Sequence, residues 1–220
     1  DLDQSKVVRG RNGFLRKVKK GDSGLLLGKI TANTPFDGYT DPEKTEQTIL
    51  RNVFNMGDAW FNTGDLMRDQ GFNHAQFVDR LGDTYRWKGE NVSTTEVENC
   101  LNTISQVLDV VVYGVEIPNT NGRAGMASVT INSDDAFDAG AFHRYVVESL
   151  PAFAVPVFVR VSQEMEKTGT FKYKKTDLKK AGFDHAKVTD PVWVCLPGSS
   201  CYQPLTGGLQ VEIERNKHRF

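Results

Sequence analysis

The clearest apolar pattern lies in the second half of the chain. Val107 to Val115 is an almost unbroken β-branched run and predicts a central strand. Ala124 to Asn132 alternates instead, Met126, Ser128 and Thr130 against Ala127, Val129 and Ile131, and predicts a neighbouring strand across a turn at Asn119 to Gly122. Ala139 to Leu150 places Phe142, Tyr145, Val146 and Leu150 at helical spacing and is stopped by Pro151, after which Val157 to Val161 predicts a last strand. Upstream, Ser93-Thr94-Thr95-Glu96 supplies a cap followed three residues later by an acid, and Val97, Leu101 and Ile104 continue a helix over 94–104. Thr84 to Lys88 predicts one more strand. From Arg80 onward the order strand, helix, strand, strand, helix, strand describes a compact α+β domain.

The first 80 residues are patterned differently. Residues 1–24 are polar, rich in Gly and Lys, and their charge run Arg16 to Lys20 is expected to be a solvated hairpin or loop without chemistry. Leu25 to Ile30 predicts a short buried strand, and Pro42 opens a helix through about Asn52. Ala59 to Arg80 carries aromatic and β-branched residues around Thr63-Gly64-Asp65, with a second turn at Asp69-Gln70-Gly71, and predicts two or three strands joined by tight turns.

Composition narrows the function. With 220 residues and 39% apolar side chains the chain can bury a real core. Lys plus Arg number 27 against 28 for Asp plus Glu, so there is no overall positive field to hold a nucleic-acid backbone. No apolar run reaches the roughly 18 residues of a spanning helix, and the longest candidate, Ala152 to Val159, is broken by Pro156. The chain opens on Asp1 without the apolar stretch of a signal peptide and is expected to begin inside a longer gene product. Cys100, Cys195 and Cys201 form neither an even set nor a C-x-x-C pair, which fits a reducing cytoplasm.

Three constellations could carry chemistry, each with a plainer account beside it. A carboxylate just past a Gly turn, Asp65 in Thr63-Gly64-Asp65, suits a pair of vicinal hydroxyls, although Gly-Asp is also a common turn dipeptide. In Asp79-Arg80-Leu81-Gly82-Asp83, Arg80 offers a planar fork to hydroxyl or phosphate oxygens and Gly82 a flexible joint; the alternative is a structural pair of Arg80 with Asp79 or Asp83. Glu166 to Lys175 is a Gly and Thr-bearing loop with several ammonium groups, suited to a triphosphate or an acyl phosphate, or simply a basic loop leading into a helix over 176–181.

Taken together in the order WFNTGDL, FVDRLGDTYRWKGENVSTTEVE and KTGTFKYKKTDLKK, the motifs closely resemble the very-long-chain acyl-CoA synthetase and fatty-acid-transport-protein branch of the adenylate-forming enzymes, from near residue 20 to about 205. The resemblance implies an α+β chain in which residues 1–79 are the C-terminal remnant of a large AMP-binding domain, made of short strands in a barrel-like subdomain. Residues 80–190 would be a mobile C-terminal domain with a small mixed sheet flanked by helices, and 191–220 a tail.

The activity implied is ATP-dependent ligation of a long or very long fatty acid to coenzyme A through an acyl-adenylate, with Mg2+ carried by ATP. Asp65 resembles the carboxylate that holds the ribose hydroxyls, Arg80 the arginine that contacts the sugar and phosphates, and Leu81, Gly82 and Asp83 the hinge. Lys172 resembles the lysine of the adenylation step, with Lys174 as the alternative; the residue before it is Phe171 where many relatives have Gly. Lys88, Gly89 and Glu90 resemble the loop that lines the pantetheine tunnel after rotation of the domain. The phosphate-binding loop of relatives lies upstream of this sequence, so the 220-residue chain alone is expected to be inactive. Its partners would be the fatty acid, ATP, coenzyme A and the missing N-terminal part of the same enzyme. It would act in the cytoplasm or peripherally on the cytoplasmic face of a membrane. A non-catalytic lipid or nucleotide-binding module, or uptake of fatty acid by thioester trapping, are the alternatives.

Overall fold

A computed structural model describes residues 7–132, 136–162 and 175–220. The chain divides into two compact units, Asp1–Gly82 and Asp83–Phe220.

In the first unit, strand β1 (Ser23–Lys29) is followed by helix α1 (Pro42–Thr48), β2 (Ile49–Arg51), β3 (Ala59–Gly71) and β4 (His74–Arg80). Asp41 caps α1 by accepting from the backbone N–H groups of Glu43 and Lys44, and Pro42 occupies the first turn, where its missing N–H costs nothing. The helix stops at Thr48, four residues short of the sequence expectation. Ile49, Leu50 and Arg51 instead pair antiparallel with Phe61, Trp60 and Ala59 of β3, because ladder pairing of β-branched and aliphatic residues there outweighs continued helix. β3 lies in the middle of this sheet, between β1 and β2, and also pairs with β4. The stretch expected to break at Thr63-Gly64-Asp65 is one long strand with a bulge. Reversal comes at Phe72 and Asn73, both with left-handed φ (54° and 61°).

The second unit begins with the hairpin β5 (Tyr85–Trp87) and β6 (Glu90–Val92), then α2 (Thr94–Leu101), β7 (Val107–Val115), β8 (Ala124–Ile131), α3 (Ala139–Ser149), β9 (Phe158–Ser162) and α4 (Lys175–Ala181). Ser93 caps α2 through Glu96 N–H, as its sequence predicts, and Asp138 caps α3 through Ala141 N–H. β7 and β8 pair antiparallel with Val110 opposite Val129 and Val112 opposite Ala127, while β8 and β9 run parallel, which makes the sheet mixed. α2 and α4 pack on β7. Tyr113, Phe142, Phe158, Leu101 and Met126 are among the largest fully buried side chains.

The stretch 191–220 is woven into this unit. β10 (Val192–Val194) pairs with β9, β11 (Gln203–Pro204) extends the sheet beyond it, and α5 (Gly207–Glu214) follows. Val192, Val194, Tyr202, Leu205 and Ile213 are buried, and the Tyr202 hydroxyl donates to the Pro156 carbonyl at 2.5 Å. A three-residue strand gives too few alternations for a periodic signal, so spacing alone does not distinguish this stretch from a tail. Among the described residues no helix is long and apolar enough to cross a membrane.

Candidate functional site

Asp65 sits on a bulge that the local sequence builds. Opposite β1, Leu27 pairs with Asn62 and Leu25 with Leu66, so β3 carries extra residues between these two pairs. Gly64 takes them up at φ 75°, a left-handed conformation that other L residues adopt at a steric cost. Polar side chains lock the kink: Asn62 Oδ1 accepts from Gly64 N–H at 2.9 Å, Thr63 Oγ1 accepts from Asp65 N–H at 3.1 Å, and the Thr63 hydroxyl donates to Leu26 O at 3.0 Å.

On the other side of β3, Asp65 stands directly across from Arg80. Arg80 Nε lies 3.1 Å from Asp65 Oδ1, with the guanidinium side chain 59% exposed and the carboxylate side chain 25% exposed. The pair is ionic rather than an aligned hydrogen bond, and among the described residues Asp65 Oδ1 is buried without a hydrogen-bond donor. A carboxylate oxygen in that condition has acceptor capacity to spare. Next in sequence, Leu81 N–H donates to Gly64 O at 2.8 Å, which fastens Leu81 to the first unit.

The sequence candidates Leu81, Gly82 and Asp83 straddle the division between the units, and Asp83 is the first residue of the second. Lys179 Nζ lies 2.9 Å from Asp83 Oδ1 and Lys175 Nζ 3.8 Å from Asp83 Oδ2. Lys175 Nζ also reaches Glu98 Oε1 at 2.9 Å and Thr94 Oγ1 at 3.1 Å, and Glu98 Oε1 accepts from Val112 N–H at 2.8 Å. Among the described residues, two ammonium groups thus face two carboxylates in a partly buried network tied to α2, α4 and β7. The sequence motifs give Glu98 and Lys179 no role, and they place Lys175 in the basic loop suited to phosphates, whereas here it is paired with Glu98 and Asp83. The spacing of Lys175 and Lys179, which puts both on one face of a helix, was the available signal.

Lys88, Gly89 and Glu90 are exposed at the β5–β6 hairpin. Lys88 (φ 52°) and Gly89 (φ 86°) are both left-handed, as a two-residue hairpin turn demands. The hairpin is held to its own unit by the Trp87–Gly122 bridge and by Arg123 N–H donating to Arg86 O at 2.7 Å. Lys172, its alternative Lys174 and the rest of the basic loop from Glu166 lie outside the described residues, all but Lys175. Among the described residues no three His, Cys, Asp or Glu side chains cluster as a metal site.

Residues 96–172 match the AMP-binding enzyme C-terminal domain. The chain is 48% identical over 204 residues to the medium/long-chain-fatty-acid–CoA ligase FadD6 of Mycobacterium tuberculosis, covering 93% of this chain and 34% of that protein. It is 42% identical over 214 residues to long-chain fatty acid transport protein 6 of Mus musculus, covering 97% of this chain and 35% of the relative. In fold it resembles the ATP-bound MatB of Rhodopseudomonas palustris, with a TM-score of 0.64 at 21% identity over 82% of this chain and 34% of the other. The chain spans about a third of the length of the curated relatives it matches.

Proposed function

We propose, because this chain belongs to the fatty-acid–CoA ligase and fatty acid transport protein branch of the AMP-binding enzymes, that it is part of an ATP-dependent fatty acid–CoA ligase. In the first step the fatty carboxylate attacks the α-phosphorus of ATP; a carboxyl O–P bond forms and pyrophosphate leaves. In the second, the thiol of coenzyme A attacks the acyl carbonyl, the thiol proton is lost, and AMP departs.

The observation that supports this reading is the Asp65–Arg80 pair. Asp65 Oδ1 lacks the donors that two ribose hydroxyls would supply, and the exposed guanidinium beside it suits the sugar and the phosphates. Lys172 would bring a point cation to the α-phosphate, offsetting charge that accumulates as the O–P bond forms. Mg2+, riding on the triphosphate, would neutralise the leaving pyrophosphate.

The same reading gives the other candidates a role. Leu81 is bound to the first unit and Asp83 to the second, so rotation between half-reactions would be taken up by the torsions of Gly82. The tight Lys88-Gly89-Glu90 turn would then line the path of the pantetheine arm, where a glycine lets backbone come close to it. Acting on the cytoplasmic face of a membrane, such an enzyme would draw fatty acid inward by trapping it as the thioester.

The test uses the longer protein that contains this chain. Lys172→Ala is expected to slow acyl-adenylate formation, followed by pyrophosphate release, on the order of 100-fold or more, while thioester formation from supplied acyl-adenylate stays within a few-fold of the parent. Equal loss in both assays removes the assignment of Lys172. A parent protein that binds ATP or fatty acid yet releases no pyrophosphate would instead favour a binding module.

A further inference from the structure

The basic run Arg16-Lys17-Val18-Lys19-Lys20, to which the catalytic reading gives no task, is flanked by two exposed apolar tips. Phe72, at the end of the β3–β4 hairpin, is 88% exposed, and Met56, in the loop before β3, is 82% exposed. Phe72 is also left-handed, a conformation that suits Asn or Gly and is strained for a bulky aromatic residue. An aromatic side chain that is both strained and solvated contributes little to folding of the unit.

The basic run is tied to the Phe72 tip at one end and, at the other, to Val53 and Phe54, which precede Met56 in its loop. Lys20 Nζ lies 5.3 Å over the Phe72 ring, and the loop is stitched to the hairpin by Gly21 N–H to Asp69 O at 2.8 Å and Asp69 N–H to Asp22 O at 3.1 Å. At the other end Lys17 Nζ lies 5.1 Å over Phe54, and Leu15 N–H donates to Val53 O at 2.7 Å. The Met56 loop is held rigid by Asp58, whose carboxylate accepts from the N–H groups of Val53, Phe54 and Asn55 and from the Trp60 indole. All five residues of the run are exposed, Val18 among them. The carboxylates of this stretch are occupied locally: Asp22 Oδ2 accepts from Lys19 N–H and Asp69 Oδ1 from Gly71 N–H.

We propose that Phe72, Met56 and the cations of Arg16–Lys20 form one docking surface for an anionic lipid bilayer, the ammonium and guanidinium groups meeting headgroup phosphates and carboxylates while the two apolar tips enter the acyl boundary. Lysine is depleted in protein–protein interfaces, so four cations in five residues do not suit burial against another domain. A nucleic-acid backbone would use the cations but not the solvated Phe72 and Met56. Cations beside exposed aromatic and aliphatic tips are the combination that lipid interfaces hold. The proposal deepens the reading of the chain as part of a fatty-acid ligase, yet its test measures binding rather than turnover, so either can fail alone.

The longer protein containing this chain is sedimented with vesicles of phosphatidylcholine, or of phosphatidylcholine mixed with phosphatidylserine. Binding is expected to the mixed vesicles only and to weaken as salt is raised. Combined Lys17→Glu, Lys19→Glu and Lys20→Glu should lower partitioning on the order of 100-fold, about fivefold for each lost cation, and Phe72→Ser should weaken it with the lysines intact. Both variants should keep the parent's circular dichroism and melting temperature. Phe72→Trp should bind as well as the parent, and its difference emission against the parent should shift to the blue with mixed vesicles. Failure of the parent to bind mixed vesicles, unchanged binding by the variants, or a Phe72→Trp emission blind to lipid overturns the proposal. So does binding of duplex DNA through the same lysines with equal affinity and no dependence on Phe72.

Discussion

Lys179 Nζ lies 2.9 Å from Asp83 Oδ1, joining two residues 96 positions apart. That contact fastens the first residue of the second unit to a helix on β7, and Lys175 reinforces it from one turn earlier on α4. Because both side chains are about three-quarters buried, the attraction is screened less than at a fully solvated site. A double-mutant cycle of Asp83→Ala and Lys179→Ala, read by urea unfolding, should give a coupling of about 1 kcal/mol. A coupling indistinguishable from zero would show that the contact does not anchor Asp83.

Gly82 should behave unlike its neighbours. Among the described residues, a Cβ placed on it meets no atom within 4 Å, and its φ is outside the left-handed range, so alanine fits this conformation. Gly82→Ala should therefore leave melting unchanged or raise stability by up to about 1 kcal/mol, by restricting the unfolded chain. In the longer protein it should nevertheless slow overall turnover more than adenylation, if Gly82 is the pivot. Parent-like rates in both half-reactions would place the pivot elsewhere.

Gly114 is the opposite case. A Cβ there would come within 2.6 Å of Tyr85 Cβ and 3.0 Å of Arg123 Cβ, atoms fixed close to the backbone. Gly114→Ala should destabilise the second unit by about 1–3 kcal/mol, as overpacking does. It should also loosen the β5–β6 hairpin, seen as faster amide exchange at Arg86 and Trp87. Unaltered exchange and stability would mean that the hairpin shifts at no cost.

Asp58 gives the first unit an acid-sensitive support. Burial raises its carboxyl pKa, but the Trp60 indole N–H and the backbone N–H groups of Phe54, Val53 and Asn55 outweigh burial and lower it from 3.8 to about 2. The folded value lies below the unfolded one, so this support is complete above the unfolded pKa and is lost as pH falls through the folded one. Melts of the parent and Asp58→Asn from about pH 5 to pH 2 should converge as acid is added. Parallel curves would refute the role.

Much of the second unit was legible because its signals are local. The β-branched run of β7, the alternation of β8 and the capped helical spacing of α2 and α3 each reflect one element's own periodicity. The bulge at Thr63-Gly64-Asp65 was visible only as a turn. The same residues would serve either, and the choice depended on Leu25 and Leu27 of β1, far away in sequence. Ile49 to Arg51 looked helical for a related reason, since their strand partners belong to β3.

By itself the sequence determined the α+β class, the positions of the main elements, and the motifs that place the chain among the AMP-binding enzymes. Those properties are written in spacing and residue type over a few turns or strands. Tertiary structure alone decided that Asp65 stands opposite Arg80, that Asp83 is held by Lys179, and that Val192 to Val194 joins the sheet. Cross-strand register and long-range ion pairs depend on loop closure and on competition among many possible partners, and no local pattern records which partner wins.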